Sequence, residues 1–276
     1  MNTPKISIIT ITYNSEKTLE ETIQSIVTQD YDNLEYLIID GGSKDHTLDI
    51  VNKYQNKIST VVSEPDKGIS DAFNKGIKLA TGEIIGIINS DDILLPNALN
   101  TLSDNYEESV DVYRGNTISW NDQTETKLRR MPSMEFSARG IRRRNVSHQS
   151  TFVTKRTYQQ WGGYDVNLKF MMDADLLIRL YEAGTKWKYV NADLALSRSG
   201  GVTDKNSFWK KRKESYVIVK NNGGGSFFAF LHMLWFLVRQ SIKSIAKLFG
   251  LDWVRKHIYS KSLIKNLGES THVKDT

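Results

Sequence analysis

The chain enters at once on an apolar, β-branched run over residues 5–13, which reads as a central strand buried on both faces. Asn14 and Ser15 then interrupt the run. Beyond them Leu19, Ile23, Ile26 and Val27 recur at helical spacing, predicting a helix from about residue 15 to 28 with one buried face. The same alternation repeats. Strands are predicted over 35–40, 59–63 and 83–88, and helices near 47–54 and 69–80, the last stopped by Thr81-Gly82. Strand and helix alternating with short connections predict parallel βαβ units in a three-layer α/β/α domain with a mainly parallel central sheet.

In such sheets ligands bind beyond the carboxyl ends of the strands. The residues predicted there are Thr12-Tyr13-Asn14, Asp40-Gly41-Gly42, Glu64-Pro65-Asp66 and Asn89-Ser90-Asp91-Asp92. Polar and acidic groups thus gather at one edge. The second half is less regular. Residues 110–120 and 124–129 read as a hairpin, Arg139 and Arg142 to Arg144 as a basic loop, and 148–153 as a strand. Gly162-Gly163-Tyr164-Asp165 is a turn, and 173–182 an amphipathic helix with Leu176, Leu177 and Leu180 inward. After Gly200-Gly201 the chain becomes basic and helical.

The 276 residues suit one large α/β domain with a short appendage. We assign 1–204 to that domain, in two halves at 1–95 and 96–204, and 205–276 to a helical tail. Cysteine is absent, which excludes thiolate metal sites and Cys nucleophiles and fits a reducing cytoplasm. No signal-peptide pattern stands at the N-terminus. The longest apolar run, 227–238, falls short of the roughly 20 residues that span a bilayer.

Net charge is +5 but uneven: residues 205–265 hold 13 Lys and Arg against Glu214 and Asp252, while residues 1–204 are net acidic. Arg239, Lys243 and Lys247 follow at four-residue spacing, with Ile242, Ile245, Leu248 and Phe249 on another face and Trp235 and Trp253 flanking. A basic amphipathic helix with interfacial aromatics predicts peripheral contact with an anionic membrane at the cytoplasmic face. A helix packed on the domain or across a dimer is the competing reading.

Asn89-Ser90-Asp91-Asp92 carries the strongest chemistry. Two adjacent carboxylates at a strand end suit a hard cation such as Mg²⁺ or Mn²⁺, whose remaining shell diphosphate oxygens complete; the plain alternative is a helix cap. Asp40, followed by Gly41-Gly42-Ser43, can accept from a base or ribose while glycine lets backbone approach a ligand; it can equally organise a strand-to-helix turn. In Ser63-Glu64-Pro65-Asp66-Lys67-Gly68, a turn leads to a helix N-terminus that favours an anion.

Together Ser7–Asn14, Ile39–Thr47, Asp66–Ala72 and Asn89–Asp92 resemble the family 2 glycosyltransferases, whose fold is GT-A; the likeness covers about residues 5–200. It implies a nucleotide-sugar donor (UDP-, GDP- or dTDP-linked) bound around Thr12, Tyr13, Asn14, Asp40, Gly41, Asp66, Lys67 and Asp91. It also implies a divalent metal held by Asp92 with Asp91. Position 89 is Asn where the family motif commonly has an acid. Met172-Asp173-Ala174-Asp175 is similar to the family's Glu-Asp segment, whose second residue is the catalytic base of inverting members. That role falls on Asp173, with Met in place of the first acid and a helix cap as the competing reading. His148 and Asp175 fall on the acceptor side. The implied reaction is inverting transfer to a hydroxyl of a lipid-linked glycan in bacterial surface-polysaccharide assembly.

Other classes fit less well. A nicotinamide dehydrogenase needs a glycine-rich turn after its first strand, where this chain has Tyr13-Asn14-Ser15-Glu16. Nucleic-acid binding is suggested by the basic tail alone, against an acidic body. A nucleotidyltransferase wants a glycine- and Arg/Lys-rich loop at the same first turn. A non-catalytic nucleotide-sugar-binding or membrane-associated scaffold is the main alternative, and Asp40, Asp91, Asp92 and Asp173 in one chain argue against it.

Overall fold

The computed structural model describes residues 3–121, 124–137, 145–198 and 208–227, with Phe230, Leu231, Leu234 and Val238 beyond them. The basic loop Arg139 to Arg144 and the amphipathic segment from Arg239 onward lie outside the described residues.

Strands β1 (Ile6–Thr12), β2 (Leu34–Asp40), β3 (Thr60–Ser63) and β4 (Ile84–Ile87) pair in parallel in the order β3-β2-β1-β4. Past β4 the sheet turns mixed. β8 (Thr151–Thr154) joins β4 antiparallel, β6 (Val112–Asn121) joins β8 antiparallel, and β9 (Trp187–Arg198) lies parallel to β6. The short β5 (Ile93–Leu94) closes that edge against β9, and β7 (Thr126–Arg130) forms the expected hairpin with β6. Neither β5 nor β9 was predicted.

Alternation along the strands divides the core into two layers. Ile6 and Ile8 of β1, with Tyr36 and Ile38 of β2, face α1 (Leu19–Val27), α2 (Thr47–Lys53) and α4 (Ala98–Asp104). Ile9, Leu37 and Ile39 point the other way, to α3 (Ile69–Leu79), α5 (Lys155–Trp161) and α6 (Met172–Glu182). This is the three-layer arrangement expected of the pattern. Gly86 is required where β4 meets β8, because a Cβ there would lie 2.5 Å from the Phe152 ring.

α1 begins four residues later than its sequence predicts. The N–H groups of Asn14, Ser15 and Glu16 are taken by the side chains of Ser43 (2.8 Å), Thr47 (2.8 Å) and Asp45 (3.2 Å), so the first loop is laced to the second before the helix can start. Helix α7 (Phe208–Val219) runs into a π turn over Lys220–Gly224. Its Ile218 and Val219 are buried in the same cluster as Leu176 and Leu177 of α6. The packed body therefore continues past the boundary expected at residue 204, because α7 buries apolar side chains on the domain.

Candidate active site

An open cleft of about 1380 Å³ lies along the carboxyl ends of β1, β2 and β4 and continues to the start of α6. Its walls bring together Thr12, Tyr13, Asn14, Gly41, Asp66, Asp91 and Asp92 from the first half, and His148 and Asp173 from the second. Asn14 has a left-handed backbone (φ 49°), and its side-chain oxygen accepts Lys44 N–H at 2.8 Å. Ser15 and Ser90 hydroxyls meet at 2.8 Å, fixing the loop after β1 against the loop after β4. Gly41 allows a close approach: a Cβ there would stand 2.6 Å from Asp66 Oδ2 and 3.3 Å from the Tyr13 ring. Tyr13 is 61% exposed, an aromatic face held open to the cleft.

Three predicted residues are placed elsewhere. Asp40 is fully buried; its carboxylate accepts the N–H groups of Gly42 and Ser43 and the hydroxyls of Ser43 and Ser63. It shapes the turn that presents Gly41 and does not itself line the cleft. Lys67 does not line it either; its backbone N–H is held by Asp71 Oδ2 at 2.9 Å in the turn before α3. Asp175 points away, ion-paired to Arg179 at 2.8 Å and within 3.4 Å of the Asn222 amide, because it lies half a helical turn from Asp173.

Asp92 is 2% exposed. Burial, and then the neighbouring charge of Asp91, push its carboxyl up to about 6, although His148, Gln149 and Ser197 pull the other way. The helix-cap reading fails for it: α4 starts six residues on, behind Asn97. It fails for Asp173 too, since the N-cap of α6 is Met171 and carries no side-chain cap bond. Instead Asp173 Oδ2 lies 3.0 Å from His148 Nδ1. Burial lowers the basicity of that imidazole, but the charge and hydrogen bond of Asp173, with the fields of Asp92 and Asp91, more than offset this and raise it.

Two residues that sequence reading passed over hold this pair in place. Gln149 Nε2 donates to Asp92 Oδ2 at 3.0 Å and to the Ser197 hydroxyl at 3.1 Å. Arg114 of β6 is fully buried, and donates to Thr151 Oγ1 at 2.9 Å and to the carbonyls of Ser147 (3.2 Å) and Ser133. Its guanidinium also stacks on Phe136, and burial lowers its basicity to about 9. Arg114 thus anchors the segment that carries His148 and Gln149. A lone arginine in a strand gave no sequence signal; adjacency to His148 was the one available for Gln149.

Among the described residues five buried polar atoms on this cleft have no hydrogen-bond partner: Thr12 Oγ1, Asn89 Oδ1, His148 Nε2, Asp173 Oδ1 and Arg198 Nε. Buried polar atoms are seldom left unpaired, and such a concentration in one cleft marks where a polar ligand belongs. For a metal the donor set is two carboxylates, since among the described residues no group of three or more His, Asp or Glu is arranged to hold an ion. Two carboxylates fit a hard cation that completes its shell from a diphosphate and water.

Residues 7–179 match the family model for glycosyl transferase family 2, and the chain belongs to that family. It has the GT-A fold. The chondroitin synthase of Pasteurella multocida (strain Pm70) is 25% identical over 267 residues, and the hyaluronan synthase of Pasteurella multocida 26% over the same length; each match covers 94% of this chain and 26% of the relative. The chain thus spans about a quarter of those relatives. The glycosyltransferase GlyG of Streptococcus pneumoniae is 34% identical over 121 residues, 42% of this chain and 40% of that one. Among solved structures, TarS of S. aureus (residues 1–349) superposes with TM-score 0.62 at 23% identity, covering 82% of this chain and 68% of that one. The mannosyltransferase PcManGT of Pyrobaculum calidifontis, in complex with GDP-Man and Mn²⁺, gives 0.59 at 14% identity, with 96% and 87% covered.

Proposed function

We propose that this chain is a glycosyltransferase, which binds a nucleoside diphosphate sugar in the cleft and transfers one sugar, with inversion, to a hydroxyl of a glycan acceptor. Four of the five unpartnered polar atoms carry this reading: two lie on the strand ends beneath the nucleotide loops, and two on the dyad at α6. Solved structures of similar fold contain UDP-GlcNAc or GDP-Man with Mn²⁺, which supports a nucleotide-sugar donor. Tyr13 offers a face to the base, and the Gly41 backbone and Asp66 carboxylate line the same end.

Asp92 and Asp91 are the residues that would hold Mg²⁺ or Mn²⁺, which when bound neutralises the departing diphosphate. The chain itself supplies the base. Asp173 Oδ1, free of partners, accepts the proton of the acceptor hydroxyl as that oxygen attacks the anomeric carbon. His148 Nδ1 fixes the other carboxylate oxygen. One base facing one leaving group suits a single displacement, hence inversion. Gln149 and Arg114 keep base and diphosphate end in register.

The acceptor we propose is lipid-linked, at the inner face of the cell membrane, in surface-polysaccharide assembly. Phe227, Phe230, Leu231, Leu234 and Val238 are helical, exposed, and fall at spacings of three, four and seven along one stripe. With the basic residues that follow in sequence, that stripe suits an anionic bilayer surface. Among the described residues no helix is long and apolar enough to cross a membrane.

Release of nucleoside diphosphate from UDP-, GDP- and dTDP-sugars, with Mn²⁺ and with chelator, tests the donor reading; equal rates for wild type and Asp92→Ala would sink the metal assignment. Co-sedimentation with phosphatidylglycerol vesicles tests the surface, and an F230E/L234E variant that binds as well as wild type would remove it.

A further inference from the structure

Helix α7 carries a single acid, Glu214, among Lys210, Lys211, Arg212 and Lys213. That acid is turned away from the cations. Its carboxylate accepts three consecutive backbone N–H groups, those of Lys169, Phe170 and Met171, each at 2.9 Å. Glu214 therefore fixes the approach to α6, two residues before Asp173, and neutralises none of the surrounding lysines.

Lys169 and Lys211 both line the cleft that holds Asp173. Among the described residues neither forms an ion pair. Lys211 Nζ rests over the Phe170 ring at 5.9 Å. The other basic groups of the cleft lie apart from them: Arg198 is paired with Glu21, and Lys17 belongs to the loop after β1. The acids of the nucleotide end, Asp66, Asp91 and Asp92, sit on the β-strand edge, whereas Lys169 and Lys211 come from the α6 approach and α7. Among the described residues the cleft thus has an uncompensated positive end beside its proposed base, and walls of low dielectric strengthen such a field.

We propose that Lys169 and Lys211 form a subsite for an anionic group, a phosphate or a carboxylate, carried by the acceptor. The inference rests on the reading of Asp173 as the base and gives the acceptor's chemical class. Lysine is a compact point charge suited to phosphate, and two of them beside the base hold a charged acceptor with its hydroxyl near Asp173. Glu214 is the positioning residue, since it sets where Lys169 and Phe170 stand.

The test is calorimetric titration of the full chain with glucose 1-phosphate, glucuronate and glucose, with and without saturating UDP or GDP and Mn²⁺. Binding of either charged sugar to nucleotide-loaded protein, at least tenfold weaker in K169A/K211A and absent for glucose, is expected; which sugar binds separates phosphate from carboxylate. Three results overturn the proposal: no binding of either charged sugar, equal binding in the double variant, or binding abolished by the nucleotide. Weakened nucleoside diphosphate binding in the double variant also overturns it, by assigning the lysines to the donor. Failure of wild type to bind any nucleoside diphosphate would instead sink the donor reading.

Discussion

His148 Nδ1 stands 3.0 Å from Asp173 Oδ2, and among the described residues the second oxygen of Asp173 and the second nitrogen of His148 are buried without partners. The next residue, Gln149, holds Asp92. Two adjacent residues at the entry to β8 therefore tie Asp173, the proposed base, to Asp92, the proposed carboxylate of the diphosphate end, and Arg114 anchors both through the Ser147 carbonyl.

Asp173→Asn keeps the shape and the contact with His148 but cannot take a proton. Transfer to acceptor is expected to fall by about 10²–10⁴ in kcat, with nucleoside diphosphate affinity unchanged. Single-turnover transfer beside a nucleotide titration checks it; a loss of nucleotide affinity equal to the loss of rate would refute the role.

Asp92 titrates near 6 before a cation arrives. Metal binding to the carboxylate must then release a proton below that pH, and Mn²⁺ affinity is expected to weaken roughly tenfold per pH unit below about 6 and to level off above it. Calorimetry in buffers of different ionisation enthalpy reads both the affinity and the proton. A flat profile from pH 5 to 7 contradicts it.

Arg114→Met removes a buried cation and leaves the Ser147 and Ser133 carbonyls with one donor fewer each. A loss of about 2–4 kcal/mol is expected from the lost buried hydrogen bonds. Denaturant unfolding measures it, and a midpoint equal to wild type would deny Arg114 the anchoring role.

Glu35, nearly buried on β2, would be raised by burial, but hydrogen bonds from Ser7, from the hydroxyl and N–H of Thr81, and from Lys5 outweigh this and hold its carboxyl at about 2. A carboxyl depressed in the folded state contributes stability above its unfolded value, near 4.5, and that contribution is lost as pH falls from there towards 2. Glu35→Gln should be less stable than wild type at pH 7, with the gap narrowing through that window. A gap independent of pH between 7 and 3 would count against it.

A Cβ on Gly86 would meet Phe152 at 2.5 Å, where β4 and β8 join the two halves of the sheet. Gly86→Ala is expected to cost about 1–3 kcal/mol through overpacking. Thermal unfolding reads it, and an unchanged midpoint would mean that Phe152 can shift freely.

The sequence by itself determined the first half. Continuous apolar runs and helical spacing are local signals, so β1 to β4, the helices between them and the acid-bearing strand ends were legible in Ile6–Thr12, Leu34–Asp40 and Asn89–Asp92. What it left open depends on contacts far apart in the chain. Asp40 and Asp66 look alike in sequence, yet two residues of its own turn, Gly42 and Ser43, and Ser63 enclose Asp40, while Gly41 leaves Asp66 room at the cleft wall. Asp173 and Asp175 differ by two positions, and the helical repeat sends one to His148 and the other to Arg179. Strand β9 has no amphipathic signal because it is held by β6 and β5, some 70 to 100 residues before it. The tertiary structure alone made Gln149, Arg114 and Glu214 partners of the site, because a buried hydrogen bond is specified by the group it faces and not by its neighbours in the chain.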